Sequence, residues 1–287
     1  SMKSLGKIKD FVSKKVRDQY ENNPYPRWRY TYLNPPVSSI VIINSLIKPN
    51  KIEINKKFDN PKILIAGCGT GKQVLLAKGY KNSKILAIDL SRSSLAYAKR
   101  KIQELNLKNI SFLQADILDL KKLKSKFDII ECAGVLHHME KPHKGLKELL
   151  GLLEPHGILR LGLYSELARK DIVKVRSFIK KKKYKNNITD IRTCREEIEK
   201  NINDELLKKL FFRRDFYSTS SARDLMFHTQ EYRFTINELY KIITMENLEF
   251  LGFNNNLAKN KFASIYPNDK KQTSLNNWSE FEINNNE

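Results

Sequence analysis

The run KILIAGCGTGK (62–72) restricts what this chain can fold into more than any other stretch. A short apolar run of strand character leads straight into a turn with glycine at 67, 69 and 71, and the turn opens onto the helical pattern of QVLLAKGY. Glycines at that spacing permit a tight turn and let backbone approach a ligand closely. A strand, a glycine turn and a helix in that order form the first half of a parallel β-α-β unit.

The rest of the chain continues the pattern. KILAIDL (84–90), ISFLQAD (110–116), FDIIECAG (127–134) and GILRLGLY (157–164) read as further strands. SSLAYAKRKIQEL and KPHKGLKELLGLL between them carry apolar residues at helical spacing. Strands alternating with helices imply a parallel sheet with right-handed crossovers. LEFLGF (248–253) and FASIYP (262–267) read as two more strands in an antiparallel pair. FTINELYKIITMEN before them is a helix opened by a Thr235–Glu238 capping box. The expected architecture is therefore α/β, a Rossmann-like, seven-stranded, mostly parallel sheet with an antiparallel last strand. It divides into an N-terminal arm (1–60), a core (61–165), a helical insert (166–233), the end of the core (234–267) and a mobile tail (268–287). Pro24 and Pro26 among Tyr20, Tyr25, Trp28 and Tyr30 suit an extended arm rather than a helix.

The 287 residues are 40% hydrophobic and 30% charged, enough apolar material for one sizeable core. No apolar run reaches the ~18 residues of a membrane span. Three dispersed cysteines (Cys68, Cys132, Cys194) without a CxxC point to neither a disulfide framework nor a zinc site, and suit a reducing cytoplasm. The net charge of +21 raises nucleic acid as a partner. Yet Lys180–Lys185 is the only dense basic run, and aromatic residues are not repeatedly interleaved with it.

A glycine loop alone is weak, since dinucleotide enzymes place G-x-G-x-x-G at the same point. Here the spacing is G-x-G-x-G, and other features follow in register. Asp89 ends the second strand eighteen residues after Gly71, Asp116 ends the third in LQADIL, and ECAGVLHHM leaves the fourth at the strands' carboxyl ends. From Lys62 to Arg169 the chain resembles the class I S-adenosylmethionine-dependent methyltransferases, in particular those acting on quinones and small molecules. The resemblance implies that Gly67, Cys68, Gly69 and Gly71 cradle the amino-acid part of S-adenosylmethionine. It further implies Asp89 on the ribose, Leu90, Asp116 and Ile117 around the adenine, and the backbone of Glu131 and Cys132 beside the methionine. His156 stands where that family usually has glycine. DQYENNPYPRW and MFHTQEYRFT are similar to segments of uncharacterised bacterial methyltransferases, some fused to tetratricopeptide repeats, which are not seen here.

The acceptor side is less explicit. In ARDLMFHTQEYRFT (222–235), Asp224, His228 and Glu231 are four and three residues apart, a spacing that shares one helical face. His228 is the expected general base, with Asp224 or Glu231 orienting its ring and His138 as a second candidate. His137, Arg214, Arg223, Glu231 and Tyr217 are expected around the substrate, and arginine forks suit a carboxylate or phosphate. Tyr20 and Tyr25 of the arm are placed to close over the sulfonium. The activity so implied is methyl transfer to a small, polar, anionic metabolite. The alternatives are a protein or RNA methyltransferase using the basic surface, or a non-catalytic binder of the cofactor.

Overall fold

The computed structural model describes residues 2–31, 35–53, 58–77, 79–200 and 204–285. Five strands, β1 (Lys62–Ala66), β2 (Lys84–Asp89), β3 (Ile110–Gln114), β4 (Phe127–Ala133) and β5 (Leu153–Gly162), form one sheet of order β3-β2-β1-β4-β5. Every pairing is parallel. Ile63, Leu64, Ile65 and Ala66 of central β1 are wholly buried, as a strand covered on both faces requires. One face packs against α2 (Ser39–Ile47), α3 (Lys72–Ala77) and α4 (Arg92–Glu104). The other packs against α5 (Pro142–Leu152) and α10 (Ile236–Met245).

The sheet stops at β5, so the seven-stranded expectation is corrected to five strands, none antiparallel. Among the described residues LEFLGF joins no strand, and Gly252, at φ +125°, interrupts it with a conformation that regular strands do not contain. FASIYP falls mostly within α11 (Asn256–Ile265), whose N-cap Asn255 accepts from the Ala258 N–H. The space beside β5 is instead a groove of about 1640 Å³, lined by α2, α5, α10 and residues 248–254. β5 also begins earlier than expected and carries a register irregularity opposite Phe127–Ile129, with His156 left-handed at φ +61°.

The two chain ends are more ordered than the sequence suggests. The arm contains α1 (Phe11–Asn22), N-capped by Asp10, with Ser13, Val16 and Gln19 buried at helical spacing; only from Asn23 onward is it the expected irregular strap. The expected mobile tail forms α12 (Leu275–Asn284), since Leu275, Trp278 and Phe281 make an apolar helical face. Trp278 stacks on Phe262 of α11 at 4.0 Å. Residues 286–287 of that tail lie outside the described part.

Between β5 and α10 the chain forms α6 (Lys170–Lys182), α7 (Ile188–Lys200), α8 (Glu205–Lys208) and α9 (Thr219–Met226), around a core of their own that includes Ile172, Ile191 and Phe216. The ends of this insert are tied together. Phe234 N–H donates to Tyr164 O (2.8 Å) and Glu166 N–H to Phe234 O (2.9 Å), which returns the chain to the carboxyl end of β5. Thr235 N-caps α10 by accepting from Glu238 N–H. Among the described residues, no helix is long and apolar enough to cross a membrane.

Candidate active site

A cavity of about 370 Å³ opens at the carboxyl ends of β1 to β4, between the glycine loop, the arm and the insert. Gly67, Cys68 and Gly69 line it, with the N–H groups of Gly67 and Cys68 donating to Ile88 O and so tying the loop to β2. A Cβ at Gly69 would lie 3.0 Å from the Tyr25 carbonyl oxygen, so the arm runs directly over the loop. Gly71 does not reach the cavity. Its Cβ would fall 2.8 Å from the Ala98 methyl, and it serves the packing of α4.

Asp89, Leu90, Asp116 and Ile117 also line the cavity. Asp89 accepts from Gly69 N–H (2.8 Å) and Ser91 N–H (2.9 Å), one on each oxygen. Burial raises its pKa, and these backbone donors hold the rise in check. Burial likewise raises Asp116, which accepts from Leu118 N–H. Glu131 and Cys132 are corrected. The Glu131 carboxylate takes the Tyr80 hydroxyl (3.1 Å) and Arg160 (3.4 Å), and Cys132 is sealed in the core. Ala133, Gly134 and Val135 occupy the border expected for them.

The arm is held down by specific bonds. Thr70 Oγ1 donates to Pro26 O (2.5 Å), Trp28 Nε1 to Thr70 O (3.1 Å), and the Tyr97 hydroxyl to Trp28 O. Glu21 accepts from Ser91 Oγ and Ser93 N–H at the first turn of α4. These contacts place Tyr20 and Tyr25 in the cavity wall. Thr70→Val removes one buried hydrogen bond, worth about 1 kcal/mol. Release of bound S-adenosylhomocysteine, followed by stopped flow, should accelerate roughly fivefold; an unchanged rate would separate the arm from retention.

The segment 222–235 does not form one polar helical face. Helix α9 ends at Met226, so Asp224 is helical while His228 and Glu231 lie in the loop beyond. Asp224 lines the cavity and accepts from the Tyr20 hydroxyl at 2.7 Å; the surrounding protein pushes its carboxyl up to about 6. His228 sits behind the wall, its ring stacked on that of His138 at 3.5 Å, and the Gln230 carbonyl lies 2.7 and 2.8 Å from their Nδ1 atoms. His138 lines the cavity while His228 does not; burial lowers His138 to about 4 and His228 well below its ordinary value, away from a general base poised near neutral pH. His137 stacks beneath Tyr164 at 3.5 Å, outside the cavity, and neither of its ring nitrogens has a partner.

Glu231 forms a buried two-pronged pair with Arg169 (3.0 and 2.5 Å), and the Arg169 guanidinium lies over the Tyr164 ring. Arg213 pairs with Asp171, Arg233 with Glu166, and Arg223 donates to Asn186. Arg214 and Tyr217 are exposed and away from the cavity lining. The arginines expected around the substrate are therefore elsewhere. Lys72, Tyr164 and Asp215 line the cavity instead, and the sequence marks neither Lys72 nor Asp215. Tyr164 alone had a signal, as the aromatic residue at the exit of the fifth strand.

The residues present fit S-adenosylmethionine: a glycine loop beneath a strap, carboxylates ending β2 and β3, and tyrosines that can face a sulfonium.

Comparison with known proteins agrees with this arrangement. Residues 57–216 match a family model described as a methyltransferase domain. An uncharacterised protein of Synechococcus sp. is 31% identical over 67% of this chain and 48% of its own length. One of Rickettsia prowazekii is 32% identical over 51% of this chain and 58% of its own. The solved structure of PKMT2 from Rickettsia typhi in complex with AdoHcy superposes with a TM-score of 0.64 and 24% identity, covering 91% of this chain and 53% of that one. The chain thus spans about half the length of these relatives. With more than half of its residues matched by the family model, around a glycine loop and carboxylates set at the strand ends, the chain belongs to the methyltransferase-domain family of class I, S-adenosylmethionine-dependent enzymes.

Proposed function

We propose that this protein transfers a methyl group from S-adenosylmethionine to a small, polar acceptor enclosed between the arm and the insert. One observation carries the reading: a single cavity is bounded by the glycine loop with Asp89 and Asp116 on one side, and by Tyr20, Tyr25, Tyr164, Asp215 and Asp224 on the other. When bound, the cofactor supplies an activated methyl group on a cationic sulfur. The chain supplies position and dryness. Asp89 holds the ribose, Ile117 and Leu90 frame the adenine, and the strap from Tyr20 to Trp28 excludes water. The anionic acceptor expected from Arg214 and Arg223 is not favoured, because neither lines the cavity and Arg223 donates to Asn186.

Calorimetric titration with S-adenosylhomocysteine should give one site per chain with micromolar affinity. Labelled methyl from S-adenosylmethionine should then appear on low-mass polar compounds in a metabolite panel. Tight binding of the cofactor with label found only on protein or RNA would overturn the small-acceptor reading.

A further inference from the structure

The protein carries a net charge of +21, yet its cavity is acidic. Among the described residues that line it, the charged side chains are Asp89, Asp116, Asp215 and Asp224 against Lys72 alone. Asp89 and Asp116 belong to the cofactor side, at the ends of β2 and β3. The other two belong to the insert, and each meets a tyrosine of the arm. Tyr20 donates to Asp224 Oδ1 at 2.7 Å, and Tyr25 donates to Asp215 Oδ1 at 3.3 Å. The Tyr20 bond falls on Asp224 Oδ1, not on Oδ2. The nearest strong cation, Arg169, is committed to Glu231. A carboxylate crowded by protein without a cation is costly to ionise, and a cationic ligand would remove that cost.

Resting on the methyl-transfer reading above, we infer that the acceptor is an aliphatic amine, bound as its ammonium between the tyrosines and deprotonated by Asp224. The phenol rings of Tyr20 and Tyr25 attract an ammonium, both faces of Tyr164 being taken by His137 and Arg169, and the two carboxylates accept its N–H bonds. An acceptor carrying a carboxylate or phosphate would instead be repelled by both. In the proton step an N–H bond of the ammonium breaks, its electron pair stays on nitrogen, and an O–H bond forms at Asp224 Oδ2. That leaves a neutral amine with a free lone pair. The groups facing Asp224 are Tyr20 from α1, Tyr164 at the end of β5, Arg169 after it, Asp215 before α9 and Glu231 beyond α9. Burial raises its carboxyl, Asp215 and Glu231 add to the rise, Tyr20 and Arg169 oppose it, and the result is about 6, where it is ionised at neutral pH and still able to take up a proton.

The test is binding to protein saturated with S-adenosylhomocysteine, measured by calorimetry. The probes are butylamine, 1,4-diaminobutane and a short lysine-containing peptide, against butanol and butyrate of matched length. An amine should bind while the alcohol and the carboxylate do not, and the free amines and the peptide separate the two sources of the ammonium. Asp224→Asn should weaken amine binding at least tenfold and leave S-adenosylhomocysteine affinity within twofold. Wild-type amine binding should fall about tenfold from pH 7 to pH 5 as Asp224 becomes protonated, a measurement that needs no variant. Equal binding of butanol or butyrate, an unchanged amine affinity in Asp224→Asn, or a flat pH profile would each overturn the inference. So would a selective loss of S-adenosylmethionine over S-adenosylhomocysteine affinity in Asp224→Asn, which would assign the carboxylate to the sulfonium. Failure of the wild type to bind S-adenosylhomocysteine would be a different result and would sink the methyl-transfer reading itself.

Discussion

Asp89→Ala should yield a folded protein that no longer binds S-adenosylhomocysteine at concentrations that saturate the wild type. Two effects combine. The variant loses the carboxylate proposed to accept from the ribose hydroxyls, and charge-assisted hydrogen bonds of that kind contribute about 1.5–3 kcal/mol each. It also frees the N–H groups of Gly69 and Ser91, which Asp89 now holds at 2.8 and 2.9 Å, so the glycine loop loses the side chain that shapes it. Together they correspond to a loss of roughly a hundredfold to several thousandfold in affinity. Calorimetric titration reads this directly, with circular dichroism confirming the fold. An affinity within threefold of the wild type would show that the cofactor sits elsewhere.

His137→Phe should make the protein more stable, and the gain should grow on acidification. The His137 ring is 1% exposed, lies flat on Tyr164, and has no partner for either nitrogen. A phenyl ring keeps the stack and removes two unsatisfied polar atoms, a gain of about 1–3 kcal/mol at neutral pH. Burial lowers the folded-state pKa of His137 to about 2, from an ordinary value of 6.5. Below pH 6.5 the unfolded wild-type chain therefore binds a proton that the native state refuses. The stability tied to this ring is complete above pH 6.5 and lost as pH falls toward 2, at about 1.4 kcal/mol per pH unit. By pH 4 the gap between variant and wild type should have widened by about 3 kcal/mol. Comparing the two proteins cancels the buried carboxylates, whose raised pKa values act in the opposite sense. Urea melts at pH 7 and pH 4 check it. Parallel pH dependence of the two proteins would mean that the ring is charged, or open to water, in the native state.

The cofactor half of the cavity was legible in the sequence because it is local. Each of Gly67, Gly69, Asp89 and Asp116 follows or ends a strand of one parallel sheet, so the strand pattern and the family resemblance together bring them to one edge. The Glu131–Cys132 backbone misled because the cavity opens at the very end of β4, where Ala133, Gly134 and Val135 do the lining. The acceptor half depends on contacts between distant segments, which periodicity does not record. The 222–235 segment looked like one helical face, but α9 ends at Met226, and so Asp224 alone of its three polar residues reaches the cavity. LEFLGF and FASIYP failed for another reason. Short apolar runs suit either a strand or a helix, and the contacts of Phe262 with Trp278 decided the second in favour of helix.

The bond between Tyr20 and Asp224 joins residues 204 positions apart. A nascent chain that has just completed β4 already owns its glycine loop and both strand-end carboxylates, but the far wall of the cavity has not yet been synthesised. Closure over the acceptor side therefore begins only after the insert has emerged and met the arm made before it. Enclosure is a late event of biosynthesis, and a ribosome-stalled fragment ending before residue 215 should have the loop without the grip.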